Sequence, residues 1–244
     1  MRKVVAPTAG LLALGVLLVA PSVAQTPATE ITVKTKVSPN KAGTKKKPRG
    51  VTLSGTVTWD SEEGFEPPII TGARVLFPKG SLYNGRKYPK CSVAQLNRNG
   101  LGGCPRKSIM GKARAVAFAD TEITRPKVTI VNGGARRVCL YTVMNNPARV
   151  RACVPGKIKK LRSRKWKYQL TLRVPEVLQV VAGIPIALRK FTYKAGGKRW
   201  AKDWLATTSC PRNRRWPYQV ETFYLYNDGT TESSTYADSI RCRR

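Results

Sequence analysis

Trp166, Tyr168, Leu170, Leu172 and Val174 occupy every second position of one segment, with Lys165, Lys167 and Arg173 among the places between them. A helix cannot gather such a set on one side, because its side chains return every 3.6 residues. A strand can, because successive side chains point to opposite faces. The segment reads as a strand with one dry face and one wet face. Ile31 to Val37 alternates in the same way, and Val51, Leu53, Val57 and Trp59 share one face of the next run. Strand patterns also cover 69–77, 112–118, 127–131, 138–144, 148–154, 185–194, 199–207, 217–226 and 230–237. Ala195-Gly196-Gly197 and Asn227-Asp228-Gly229 are turn signals between such runs. Many short strands at regular spacing predict an all-β chain, an antiparallel β-sandwich of immunoglobulin-like or jelly-roll-like kind.

Two short helical turns complete the expected fold. Ser92-Val93-Ala94-Gln95 is a capping-box pattern that starts a turn ending before Gly100. Pro175 to Ala182, closed by Gly183, has Pro and Gly where a short helix wants them. There is no internal repeat and no long linker. Residues 31–244 read as one disulfide-bonded β domain, with two packed halves meeting near 157–164 as the alternative division. Residues 25–30 read as a flexible tail.

Residues 1–24 read as a signal peptide. Arg2 and Lys3 are followed by an almost wholly apolar run from Val4 to Ala20, and Ser22-Val23-Ala24 places small residues before a cut at Gln25. The alternative is a retained anchor, but the apolar run contains Pro7 and falls short of the roughly 20 residues of a stable span. Nothing in the mature chain reads as transmembrane. The expected localisation is secreted or associated with the cell envelope, after cleavage near Ala24.

An oxidising location changes the reading of Cys91, Cys104, Cys139, Cys153, Cys210 and Cys242. Six cysteines allow 15 pairings. Local logic favours neighbours in order. Asn145-Asn146-Pro147 lies midway between Cys139 and Cys153, so that pair should face across a hairpin, and Asn227-Asp228-Gly229 lies near the midpoint of Cys210 and Cys242. Zinc is disfavoured, since there is no CxxC pair and no histidine.

That absence of histidine excludes Ser–His–Asp and Cys–His catalysis. Ser38-Pro39-Asn40-Lys41 matches a Ser-x-x-Lys string only by chance, because Pro39 and Gly43 set it in a loop. The sequence calls for no cofactor and no metal. Only 13 acids exist, and Asp60, Glu62, Glu63 and Glu66 cluster in one loop. With Asp120 and Glu122 they supply the one route to acid–base chemistry, a carbohydrate-active hydrolase. Glu221 and Glu232 fall on neighbouring strands of the last hairpin, each with a cross-strand Lys or Arg as the expected partner.

Cations dominate instead. The formal charge is +32, and loss of Arg2 and Lys3 leaves +30. Such a balance opposes compaction and favours acidic partners. Lys45, Lys46 and Lys47 lie in a basic loop, and Lys159, Lys160, Arg162, Arg164 and Lys165 form a denser run beside Trp166 and Tyr168. Further cations surround Gly196-Gly197 and follow Cys210. Flat rings among cations can stack on sugars or bases, although the tryptophans read first as core.

Pro39-Asn40-Lys41-Ala42-Gly43-Thr44-Lys45-Lys46-Lys47-Pro48, Phe77-Pro78-Lys79-Gly80, Tyr88-Pro89-Lys90-Cys91-Ser92 and Cys104-Pro105 follow one another in order. This series resembles a group of secreted actinobacterial proteins with no assigned activity. The resemblance covers residues 38 to 118 best and implies an exported all-β protein with a bonded Cys91–Cys104 loop. It transfers no functional residue.

The expected function is that of an exported, non-enzymatic, strongly basic binding protein. Its expected partner is an anionic envelope polymer, an acidic polysaccharide or an anionic lipid surface, with extracellular DNA as a non-specific ligand. Lys45, Lys46, Lys47, Lys159, Lys160, Arg162, Arg164 and Lys165 are the expected contacts. The alternatives are the hydrolase, acting through Glu62, Glu63, Asp120 or Glu122, and a structural or assembly subunit of the envelope.

Overall fold

The computed structural model describes residues 29–61 and 67–244, so the segment 1–24 expected to be a signal peptide and residues 25–28 lie outside the described residues. Sixteen strands run in chain order: β1 (Thr29–Ser38), β2 (Arg49–Gly50), β3 (Thr52–Ser61), β4 (Ile69–Pro78), β5 (Ser81–Tyr83), β6 (Ile109–Ala119), β7 (Glu122–Thr124) and β8 (Lys127–Asn132), then β9 (Arg137–Met144), β10 (Val150–Lys160), β11 (Trp166–Arg173), β12 (Val180–Val181), β13 (Ile184–Gly196), β14 (Leu205–Thr207), β15 (Arg215–Leu225) and β16 (Thr231–Arg241). Two short helices, α1 (Val93–Asn99) and α2 (Glu176–Gln179), interrupt them.

The main sheet is antiparallel and runs β1-β3-β13-β6-β8-β9-β10-β11-β4-β15-β16. Its two ends, β1 and β16, come back against each other. The expected sandwich is therefore replaced by a single, nearly closed barrel. Alternation cannot tell the two apart, because both bury one face of every strand. Length decides: long twisted strands in a sheet this wide curl until the edges meet. Among the described residues no ladder joins β1 to β16; hydroxyls cross the gap, and just past the strand ends Ala42 N donates to Arg243 O and Arg243 N to Asn40 O, each at 2.8 Å. Ser234 Oγ of β16 donates to Thr29 O at 2.6 Å, and Tyr218 OH of β15 donates to Val33 O at 3.1 Å.

Individual elements depart from the alternation in physical ways. β1 begins at Thr29, which is fully buried, so the strand starts two residues ahead of Ile31. The run 199–207 is a strand only at 205–207, because its first part turns across the end of the barrel. The helix after Pro175 stops at Gln179, and β12 then turns into β13 through Ala182 and Gly183, both with positive φ. That is the two-residue hairpin geometry Gly favours. Residues 157–164 end β10 and begin the loop to β11, and those two strands pair directly.

The three disulfides join Cys91–Cys104, Cys139–Cys153 and Cys210–Cys242. Cys139 and Cys153 are not directly opposite, as the hairpin had suggested. Cys153 pairs with Tyr141 and Cys139 with Pro155, so the bond runs diagonally across β9 and β10 over a Cα separation of 5.6 Å. With Leu96 of α1, Val131 and Tyr141, these cysteines and Cys91 form a small core on the outside of the barrel. α1 carries the expected capping box: Ser92 Oγ accepts from Gln95 N at 3.1 Å and Ser92 N donates to Gln95 Oε1 at 2.9 Å. Three further clusters, around Trp59, Ala117 and Trp204, occupy the inside.

Candidate functional site

Antiparallel pairing sends alternate connections to opposite ends of the barrel. Residues 39–51, 79–108, 133–136, 161–165 and 197–214 all leave at one mouth. Segments 120–126, 145–149, 174–183 and 226–230 leave at the other. The first mouth is covered. β2, β14 and β5, drawn from three of its long connections, pair into a three-stranded sheet across it. Asn132, fully buried at the end of β8, ties that cover down. Its Nδ2 donates to the carbonyls of Gly85, Tyr88 and Pro89 at 2.9, 3.1 and 3.0 Å. Its Oδ1 accepts from Trp204 Nε1 at 3.3 Å and lies 3.1 Å from Tyr83 OH.

The charges separate along the same axis. The covered mouth carries Lys41, Lys45, Lys46, Lys47 and Arg49 in its first connection, and Arg86, Lys87, Lys90, Arg106 and Lys107 among others in the second. It adds Arg162, Arg164 and Lys165, then Lys198, Arg199, Lys202, Arg212 and Arg214. Asp203 is the one acid in these connections, and it is satisfied internally. Tyr88 OH donates to it, and Lys87 Nζ donates to Oδ2 at 2.9 Å. These two bonds hold its carboxyl below the usual carboxylate range. The far mouth is the reverse: its described connections hold Asp120, Glu122, Glu176 and Asp228 against Arg125 and Arg149.

All eight expected contacts, Lys45, Lys46, Lys47, Lys159, Lys160, Arg162, Arg164 and Lys165, are exposed and lie at the covered mouth. They do not form one patch. Lys45 to Lys47 stand between β1 and β3, while the other five stand at β10 and β11, across the barrel. The cations of 79–107 and 198–214 fill the space between them; their shared end was hidden by their distance in sequence. Lys79 N donates to Lys165 O at 3.0 Å, joining two of these connections. Of the five tryptophans, Trp59, Trp204 and Trp216 are buried. Trp166 and Trp200 are half-buried at the cationic mouth, under Lys165 Nζ at 4.8 Å and Arg199 Cζ at 5.3 Å.

The carboxylates form no such grouping. Glu62, Glu63 and Glu66 lie outside the described residues. Asp120 sits in the exposed β6–β7 turn with positive φ, and Glu122 accepts from Asn146 Nδ2 at 2.9 Å. Glu221 has the cross-strand cation expected of it, Arg74 on the neighbouring β4 at 2.6 Å. Glu232 accepts from Tyr226 OH at 3.2 Å. Among the described residues no three of Cys, Asp and Glu gather to hold a metal ion, and no helix is long and apolar enough to cross a membrane.

The sequence reading missed the interior. Among the described residues, a space of about 380 Å³ runs between the mouths, bordered by side chains from every strand of the barrel. Its signal was present in β6, whose inward positions Ala113, Ala115, Ala117 and Ala119 are all alanine. Comparison with family models, with curated proteins and with solved structures finds no match to this chain.

Proposed function

We propose that this chain is an extracytoplasmic, non-enzymatic binding protein that attaches to anionic envelope or extracellular polymers through the cationic mouth of its barrel. The observation that carries the reading is the segregation of charge. Cations from five separate connections converge on one end, and the single acid among them is already paired with Lys87. Like charges gathered this closely repel one another, and a polyanion that neutralises them relieves that repulsion and releases its own counterions. Exposed Lys and Arg on loops suit a polymer of repeating phosphate or carboxylate groups better than one small anion. Trp166 and Trp200 add flat faces on which sugar rings can rest. The disulfides and the sequence of residues 1–24 support an oxidising, extracytoplasmic setting.

Binding to immobilised polyphosphate and to an acidic polysaccharide, titrated with salt, tests the reading. Reversal of Lys159, Lys160, Arg162 and Arg164 to Glu should lower affinity at least tenfold and flatten the salt dependence. Reversal of Arg125 and Arg149 at the far mouth should change little. Affinity that persists in about 1 M salt, where screening reaches ~3 Å, refutes it. So does an equal effect of the two sets of reversals.

A further inference from the structure

We propose that the interior of the barrel is a binding site for a long, largely apolar molecule of the acyl-chain or isoprenoid class. This goes beyond the polymer reading and does not depend on it.

The argument begins with strand number. Barrel diameter grows with the number of strands, and about eight strands give an interior that side chains just fill. Eleven strands surround this one, so ordinary side chains leave space at the axis. Aromatic rings such as Trp59, Phe191 and Tyr218 fill part of the interior, but small residues leave room beside them. β6 turns Ala115 and Ala117 inward, and β4 contributes Gly72 and Ala73. The half-buried class of Tyr168, Leu170 and Leu172 on β11 follows from the same space: they face inward and border it.

Its chemistry is uniform. No Lys, Arg, Asp or Glu borders the space, in a chain where nearly a quarter of the residues are charged. The 380 Å³ falls within the usual range for small-molecule sites, roughly 300 to 1,000 Å³. The lining extends from Leu178 and Met144 at the far mouth to Leu82 and Thr207 under the cover, which favours a chain over a compact ring system. Polar atoms on the lining are largely committed. Tyr193 OH lies 3.2 Å from Thr35 Oγ1, and Trp216 Nε1 donates to Ser209 O at 2.9 Å. Among the described residues, Thr207 Oγ1 is the one buried side-chain atom on this lining without a hydrogen-bond partner. Thr207 is 6 % exposed and stands at the covered end. A buried hydroxyl left unpaired is costly, so the ligand carries one hydrogen-bonding group that meets it there.

The far mouth is the entrance. The disulfide Cys210–Cys242 and a three-stranded sheet secure the cationic mouth, whereas α2 and the two-residue β12 stand over the other. Among the described residues, three of the four exposed large apolar side chains, Ile123, Val177 and Val180, lie at that far mouth, and Leu178 of α2 borders the space. An apolar lip of this kind suits the approach of an apolar ligand.

The test is fluorescence titration of the oxidised protein with a dansyl-labelled long-chain fatty acid, paired with native mass spectrometry. The expected result is one saturable site whose affinity is insensitive to salt. Ala117→Trp and Leu170→Trp, which fill the space from opposite walls, should each weaken it at least tenfold. Thr207→Val keeps the volume and removes the hydroxyl; it should weaken the fatty acid several-fold and leave a plain hydrocarbon chain, hexadecane followed by native mass spectrometry, unchanged. Leu170 is half-buried, so its variant keeps the test open if Ala117→Trp does not fold. Absence of saturable binding to the wild-type protein overturns the proposal. So does binding that survives both filling substitutions, or binding that falls with salt and with charge reversal at Lys159 to Arg164. The last result would place the probe on the surface and leave the polymer reading standing.

Discussion

Replacing Asn132 by leucine should loosen the cover of the cationic mouth more than any other single polar substitution there. The side chain is 0 % exposed and sits among three carbonyls and two side-chain donors. Its two N–H groups are shared among Gly85, Tyr88 and Pro89, and its oxygen receives Trp204 and faces Tyr83. Counting two bonds given and two received, at about 1 kcal/mol each, the loss is about 4 kcal/mol. The carbonyls stranded in a dry site push the figure up; Tyr83 pulls it down, because its hydroxyl keeps Gly134 O at 2.9 Å. Urea unfolding followed by tryptophan fluorescence measures it, since Trp204 reports from the same site. Asn132→Asp is the companion variant. It preserves shape but sets a carboxylate against three carbonyl oxygens, so at neutral pH it should cost at least as much. A loss below about 1 kcal/mol for both variants would refute the view that this one carboxamide holds three connections together.

Other consequences are as direct. Removal of the Cys210–Cys242 bond, which closes a separation of 32 residues, should cost about 3 to 4 kcal/mol by the loop-entropy relation, and hydrogen exchange should rise first in 197–214. Asp203 adds a pH dependence. Its carboxyl titrates below 3.8 in the folded protein, so its contribution is present above the unfolded value and is lost as pH falls through the folded one. Asp203→Asn should therefore unfold with a shallower acid limb than the wild type, and parallel acid limbs would contradict the pairing with Tyr88 and Lys87.

The strands were largely legible because each is wet on one side. Trp166 to Val174 and Val51 to Trp59 carry an alternation that survives any tertiary arrangement with one buried face. Closure was not legible, since nothing local in β1 or β16 says that they meet. The Ser92 cap was legible because both halves of its bond lie within four residues. The end of α2 was not, because Val180 and Val181 follow a helical pattern but are drawn off to pair with Pro185 and Ile184. The charge runs were visible as runs. That Lys45 and Lys165 share an end, with Arg86, Lys198 and Arg212 between them, follows only from the order of strands in the sheet. The hollow interior was the hardest to see, because an alanine facing a void and an alanine under a large neighbour look the same in sequence.

The seam between β1 and the β15–β16 hairpin gives the barrel an expansion joint. Widening a fully hydrogen-bonded cylinder means shearing a ladder at several points at once. Here the far end of the circumference can grow along one line by releasing Ser234 of β16 from Thr29 and Tyr218 of β15 from Val33, while the strand ladders stay intact and the backbone bonds of Arg243 to Asn40 and Ala42 pin the covered end. Slack is thus confined to one meridian, and the wall opposite remains stiff. A cylinder built this way has its slack beside β1, and amide protons of β1 should exchange ahead of those of β8 and β9.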